Sequence, residues 1–339
     1  MPSPNPILVN SFRGSVLESY HRGVVCVVDS DNNIIYSEGD VTQVCFPRSA
    51  MKMFQQIPLL TSGAFEELGI TEEEVAIFCG SHNGETIHRA VAEKVLHRAG
   101  LTQDALCCGP QAPTLKEDVA EMYRAGGVPQ RIHNNCSGKH AGFLLYCHYK
   151  GYSIDDYFSP EHPMQKEIKT VCSQFYEYPE SSMETAIDGC TTPIYSIPVF
   201  NQAVGYKNLV HPVNFDESTQ KACDIIVRSV AKYPYLLAGK KRYCTDLMQV
   251  AGDRLIGKTG ADGVYCIGLR NKAIGICIKI DDGRMGPQYI VAEKLLENSG
   301  IINQDEVGTL AQYSCETQRN WGGVAIGTLE VDKGVALKF

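Results

Sequence analysis

At 339 residues, with 44% hydrophobic and 21% charged side chains, the chain is long enough to bury a large core in one big or two modest domains. A formal net charge of −8 argues against nucleic acid or an anionic membrane surface as the main partner. No apolar run reaches the roughly 18 residues of a membrane-crossing helix. The start, Met1-Pro2-Ser3-Pro4-Asn5-Pro6, has neither the basic region nor the apolar stretch of a secretory signal.

Residues 7 to 37 read as short strands: Ile7 to Val9, Val16 to Glu18, Val24 to Val28 and Asn33 to Tyr36, with Asp29 to Asn33 as a hairpin turn. Ser49 comes directly after Pro47-Arg48 at a helix start, and Pro58 interrupts or kinks that helix. Thr71-Glu72-Glu73-Glu74 is a capping box with acids at the positive end of the helix dipole. That helix stops at Ser81-His82-Asn83-Gly84-Glu85, a polar stretch suited to exposing a side chain or simply to turning between helices.

The next helix carries Ile87, Val91, Val95 and Leu96 and closes at Gly100. A loop holds Cys107-Cys108, with no role assigned, before a short helix from Glu117 to Arg124. Small residues in Asn134 to Gly142 let a helix start approach a ligand or another helix closely, and Phe143 to Tyr149 continues it as a buried helix. Pro163 to Glu177 is amphipathic, an apolar run after Asp188 to Pro193 reaches Phe200, and Asp216 or Ser218 caps a helix through Val230. Lys258-Thr259-Gly260 precedes two strands, Val264 to Leu269 and Ala273 to Ile280, and Gln288 to Leu296 is a last helix. Fourteen cysteines in a chain of this length, many in apolar surroundings, read as reduced, buried thiols in a cytoplasm.

Ser49-x-x-Lys52 puts a hydroxyl and an amine on one helix face. Serine attacks only if a base takes its proton, and a lysine does so only when neutral, a state favoured by burial or a nearby cation. The same spacing arises by chance about once in a chain of this size, as a capping serine and a solvated lysine. Ser81 and then Lys258-Thr259-Gly260 come after it in an order that resembles the S-x-x-K, serine, K-T-G series of penicillin-recognising enzymes and serine β-lactamases.

Pro47-Arg48-Ser49-x-x-Lys52, Gly80-Ser81-His82-x-Gly84-Glu85, Asn134 to His140, Asp188-Gly189-Cys190 and Lys258-x-Gly260-Ala261-x-Gly263 together resemble the Rhizobium-type L-asparaginases, the asparaginase II family. The resemblance spans essentially the whole chain. It implies an α/β (α+β) serine β-lactamase-like fold: an antiparallel sheet domain from residues 1–48 and 191–339, with a mainly helical domain from 49–190 and the active site in the cleft between them. It implies hydrolysis of L-asparagine to L-aspartate and ammonia by a homodimer. Ser49 is then the expected nucleophile and Lys52 its base, with Ser81 and Lys258 as a second pair, although residue types alone do not decide which serine attacks. Arg48, Asn83, Asp188, Lys139 and Gly260 are the expected substrate contacts. Cys136, Lys139 and Cys190 are the expected ligands of one zinc ion that assists substrate binding. A glutaminase or another serine amidohydrolase of the same fold is the nearest alternative, and a non-catalytic amino-acid- or zinc-binding protein is the rival from another class.

Overall fold

A computed structural model describes residues 4–339, and the chain divides into two compact units. Met1, Pro2 and Ser3, part of the start that lacks the pattern of a secretory signal, lie outside the described residues. The protein is mixed α/β, with an antiparallel sheet and many helices.

The first unit comprises Met1–Ala50, Ile197–His211 and Asp246–Phe339. Among the described residues it holds an eight-stranded antiparallel sheet. Its spatial order is Glu316–Arg319, Ala325–Val331, Ile7–Arg13, Val16–Val28, Ile274–Ile280, Val264–Leu269 and Leu255–Gly260, with Ile34–Glu38 also paired to Val16–Val28. The last three strands of that order are buried at every residue, and Val264–Leu269 and Ile274–Ile280 accordingly read as largely apolar runs rather than as alternation. The helices Val199–Val210 and Pro287–Asn298 pack on the sheet. Cys266 and Cys277 face each other in register with Sγ atoms 3.7 Å apart, and Cys26 pairs with Cys277 on the other side. Burial pushes the Cys26 thiol up to about 12, as suits a small hydrophobe rather than a reactive group. All fourteen cysteines are free thiols.

Three features differ from the sequence reading. Val16 to Glu18 and Val24 to Val28 form one strand, Val16–Val28. Its exposed half pairs with Ile7–Arg13 and its buried half with Ile274–Ile280, so pairing carries it through the polar middle where hydrophobicity gives no signal. The apolar run ending at Phe200 opens the helix Val199–Val210. Lys258-Thr259-Gly260 comes before the strand Val264–Leu269 as expected, but it also ends a strand of its own, Leu255–Gly260, paired with that one.

The second unit comprises Met51–Ser196 and Pro212–Thr245. Helix Lys52–Gln55 gives way at Gln56 to Ile57–Thr61, with Pro58 in the first turn, where its missing N–H costs nothing. The Thr71–Glu74 capping box is formed, and the fully buried Glu74 also accepts a bidentate pair from Arg98 at 2.7 and 2.9 Å. The buried helix Ser137–Lys150 packs on Glu72–Phe78 and Thr86–Arg98. Gly138 makes that approach possible, since a Cβ there would lie 2.5 Å from the Ile77 carbonyl oxygen. A short ribbon, Thr185–Ile187 with Pro193–Tyr195, carries the turn from Asp188 to Thr192. Among the described residues no helix is long and apolar enough to cross a membrane.

Candidate active site

Lys52 is the centre of the polar cluster in the helical unit. It is the first residue of its helix and is 1% exposed. Its Nζ contacts the Gly80 carbonyl at 2.5 Å, Ser81 Oγ at 2.9 Å and the Asn135 carbonyl at 3.5 Å. All three partners are oxygen atoms that accept from the Lys52 amine, which places it in direct contact with the Ser81 hydroxyl.

Ser81 is fixed by its backbone. Its N–H donates to the Leu237 carbonyl at 2.8 Å, so that amide is not available to a reacting oxygen. The neighbouring His82 is fully buried. Gly84 N–H donates to its Nδ1 at 3.1 Å, and its Nε2 lies 3.2 Å from Ser137 Oγ and 3.4 Å from the Gly138 nitrogen. Ser137 in turn donates to the Ile132 carbonyl at 2.9 Å. Burial, and then the charges of His88 and Lys52, hold His82 well below its ordinary pKa. His82 thus ties the Ser81 loop to the start of helix Ser137–Lys150, a role the sequence reading did not assign. Asn83 is buried with its amide committed: Nδ2 donates to Glu85 and the Lys240 carbonyl, and Oδ1 accepts from Arg242.

A second cluster lies in the same unit. Lys139 Nζ contacts Cys190 Sγ at 3.0 Å and Thr192 Oγ1 at 2.6 Å, with the Phe143 ring 5.3 Å away. Cys136 and Cys190 share a hydrogen bond, and Asp188 Oδ2 is 3.8 Å from Cys190 Sγ. The bond from Cys136, helped by the Lys139 charge, holds the Cys190 thiol far below its ordinary pKa, and the same bond, with burial, pushes Cys136 up. Burial works against the Lys139 ammonium, but the Cys190 thiolate outweighs it and keeps Lys139 above the usual amine value. His140 hydrogen-bonds Tyr157 Oη at 2.7 Å and is lowered to about 4, mainly by burial, so it stays neutral. Thr192 and Tyr157 were not singled out in the sequence; Thr192 stood two residues from Cys190 in a turn already marked.

The donor set can be tested against zinc. Zinc–sulfur and zinc–nitrogen bonds in a tetrahedral site put neighbouring S and N ligands roughly 3.5 Å apart. The 3.0 Å between Lys139 Nζ and Cys190 Sγ is close to that, and Cys136 adjoins Cys190. Among the described residues no three His, Cys, Asp or Glu side chains are grouped to hold a metal ion, so a site here would need the Lys139 amine as its third ligand. The set fits on condition that Lys139 gives up its proton, which a metal favours.

The sheet unit holds the other expected residues. Ser49 lies in the 3₁₀ turn Arg48–Met51, and Tyr206 Oη donates to the Ala50 carbonyl at 2.7 Å, pinning that turn. Arg48 adopts φ +53°, a strained conformation for a non-glycine residue, and its guanidinium is paired with Asp262. Lys258 is 1% exposed, with Nζ on the Thr259 carbonyl at 2.8 Å. Any Cβ on Gly260 would strike the Pro47 carbonyl oxygen, so glycine there lets the strand pass against the segment leading to Ser49.

A buried serine–lysine contact in a mixed α/β chain is equipment for acyl transfer. The chain belongs to the L-asparaginase II family, whose model matches residues 9–331. It is accordingly an asparaginase-type amidohydrolase with a small amino-acid substrate. No curated protein matches the chain. Among solved structures it is similar to a β-lactamase from Mycobacterium bovis, at 13% identity, TM-score 0.39 and coverage of 78% of this chain and 89% of that one. It is also similar to a proposed β-lactamase from Bacteroides dorei, at 10% identity, TM-score 0.41 and coverage of 86% and 92%.

Proposed function

We propose that the protein hydrolyses L-asparagine to L-aspartate and ammonia through a β-aspartyl–serine ester. Ser49 Oγ attacks the side-chain amide carbon, and Lys52 accepts the hydroxyl proton. Ser81 and Lys258 pass a proton to the departing nitrogen, the C–N bond breaks and ammonia leaves. Water then attacks the ester, releasing aspartate and returning the proton to serine. The observation that supports serine–lysine chemistry here is the 2.9 Å contact between Lys52 Nζ and Ser81 Oγ, an amine and a hydroxyl both buried. The same contact favours a second reading, in which Ser81 is the nucleophile. Mass spectrometry of the trapped ester distinguishes the two, with a mass gain of one aspartyl group on a peptide containing either Ser49 or Ser81.

Arg48 exchanges Asp262 for the substrate α-carboxylate in this scheme, Asp188 receives the α-ammonium, and Gly260 offers backbone without side-chain obstruction. Asn83 acts by holding the Ser81 loop rather than through its own amide, whose atoms are already engaged. Cys136, Lys139 and Cys190 would hold a zinc ion, which when bound supplies positive charge that assists substrate binding. Action as a homodimer, which rests on the family resemblance, and in the cytoplasm, which rests on the reading of the cysteines as reduced thiols, completes the proposal. An ammonia assay with asparagine, beside glutamine, tests the substrate assignment.

A further inference from the structure

Lys279 is the one charged residue of the fully buried strand Ile274–Ile280 in the sheet unit. It is 9% exposed, and holding an ammonium out of water has a cost that an apolar side chain of similar length would not have. Its Nζ donates to two backbone carbonyls, those of Asp262 and Ile280, each at 2.6 Å. The lysine fastens backbone there.

The backbone it fastens is the three-residue turn Ala261-Asp262-Gly263, which joins the strands Leu255–Gly260 and Val264–Leu269. Asp262 has φ +56° and Gly263 φ +75°. A left-handed aspartate persists where its surroundings hold it. Two bonds from the end of Ile274–Ile280 do so: Lys279 Nζ to the Asp262 carbonyl, and Ile280 N–H to the Gly263 carbonyl at 2.9 Å. The register sets Gly260, Val264 and Lys279 in one row across three strands, and Gly260 is the residue that passes against the Pro47 carbonyl. The tethered turn therefore sits beside the segment that carries Arg48.

The Asp262 carboxylate is paired with the Arg48 guanidinium, and their side chains are 64% and 26% exposed. A pair this open to solvent holds little by itself, because ordering two flexible side chains offsets most of the attraction. The guanidinium is located by the backbone on either side of it: the left-handed Arg48 in its 3₁₀ turn, and Asp262 on a turn tied down by Lys279.

We propose that Lys279 is a positioning residue for carboxylate recognition, fixing the Asp262 turn and through it the place where the Arg48 guanidinium waits for the substrate α-carboxylate. The inference rests on the assignment of Arg48 given under the proposed function. Lys279 touches neither substrate nor the Ser–Lys pairs in this role, so its loss acts on binding and not on the chemical step.

Steady-state ammonia release from L-asparagine by the full chain tests it, with Lys279→Met, Arg48→Gln and the double variant beside the parent. Lys279→Met should raise KM about fivefold or more and leave kcat within about twofold. Arg48→Gln should raise KM further, and the double variant should stay within about twofold of Arg48→Gln alone, because Lys279 then has no guanidinium to place. If Lys279→Met does not fold, Lys279→Gln takes its place, with the same direction and the same non-additivity expected. A parent KM in the Lys279 variant, a loss confined to kcat, or two effects on KM that multiply in full would overturn the inference while Arg48→Gln still shows a raised KM. A parent that releases no ammonia refutes the hydrolytic reading, and Arg48→Gln at the parent KM refutes the Arg48 assignment; either result takes the inference down with it.

Discussion

Lys52 Nζ lies 2.9 Å from Ser81 Oγ, and both residues are buried. The S-x-x-K spacing couples Lys52 to Ser49 along the chain, yet the observed hydroxyl partner is Ser81. Lys52 is therefore the proposed base whether Ser49 or Ser81 attacks, and its removal is the most damaging single change.

Lys52→Ala should lower kcat by roughly 10²–10⁴, the ordinary worth of a positioned general base. KM should move far less, because the amine acts on a proton rather than on substrate affinity. Steady-state ammonia release measures both. A change confined to KM would put Lys52 among the substrate contacts instead.

The thiol–amine cluster predicts metal dependence. Protein stripped of metal should show a raised KM with a smaller loss of kcat, and Cys190→Ser should lose bound zinc in elemental analysis. An unchanged KM after verified metal removal argues against zinc as an aid to binding.

Packing beside that cluster is close. Gly138→Ala would push a methyl group toward the Ile77 carbonyl, 2.5 Å from the ideal Cβ position. A loss of about 1–3 kcal/mol in denaturant-unfolding stability is expected from such overpacking. Stability equal to that of the parent would mean that the two helices separate easily at this point.

Two effects on stability oppose each other with pH. His82 and His88 are lowered, chiefly by burial, so the unfolded chain binds more protons below about 6.5. Their contribution is full above that pH and is lost as pH falls. Glu293 is raised to about 7 by burial, so the folded chain holds the extra proton between the ordinary carboxylate range and 7. Its contribution is full at the acidic end of that window and is lost as pH rises to 7. Glu293→Gln should remove the second effect and leave a stability that climbs more steeply between about pH 5 and 7. Unfolding midpoints at those two pH values check the sign, and an unchanged slope would show that Glu293 does not titrate there.

Much of this arrangement was legible in local sequence. The Thr71–Glu74 box, the break at Pro58 and the Ser81 loop each arise from short-range chemistry, and each is formed. The strands Glu316–Arg319 and Ala325–Val331 were not legible, because only one of their residues, Leu329, is buried and the partner of the second, Ile7–Arg13, lies at the opposite end of the chain. The acceptors around Lys52 were invisible for another reason: the Gly80 and Asn135 contacts are backbone carbonyls, which carry no side-chain signature. Thr192 could have been found from its place beside Cys190, whereas the His82 link to Ser137 requires the fold.

Incubation with L-asparagine, with ammonia and trapped ester read in parallel for the parent, Ser49→Ala and Lys52→Ala, probes the chemistry most directly. The account predicts ammonia from the parent, an aspartyl adduct on one serine peptide, and a fall of roughly a thousandfold or more in both variants. Parent protein that binds asparagine but releases no ammonia, or variants that keep the parent rate, would contradict it.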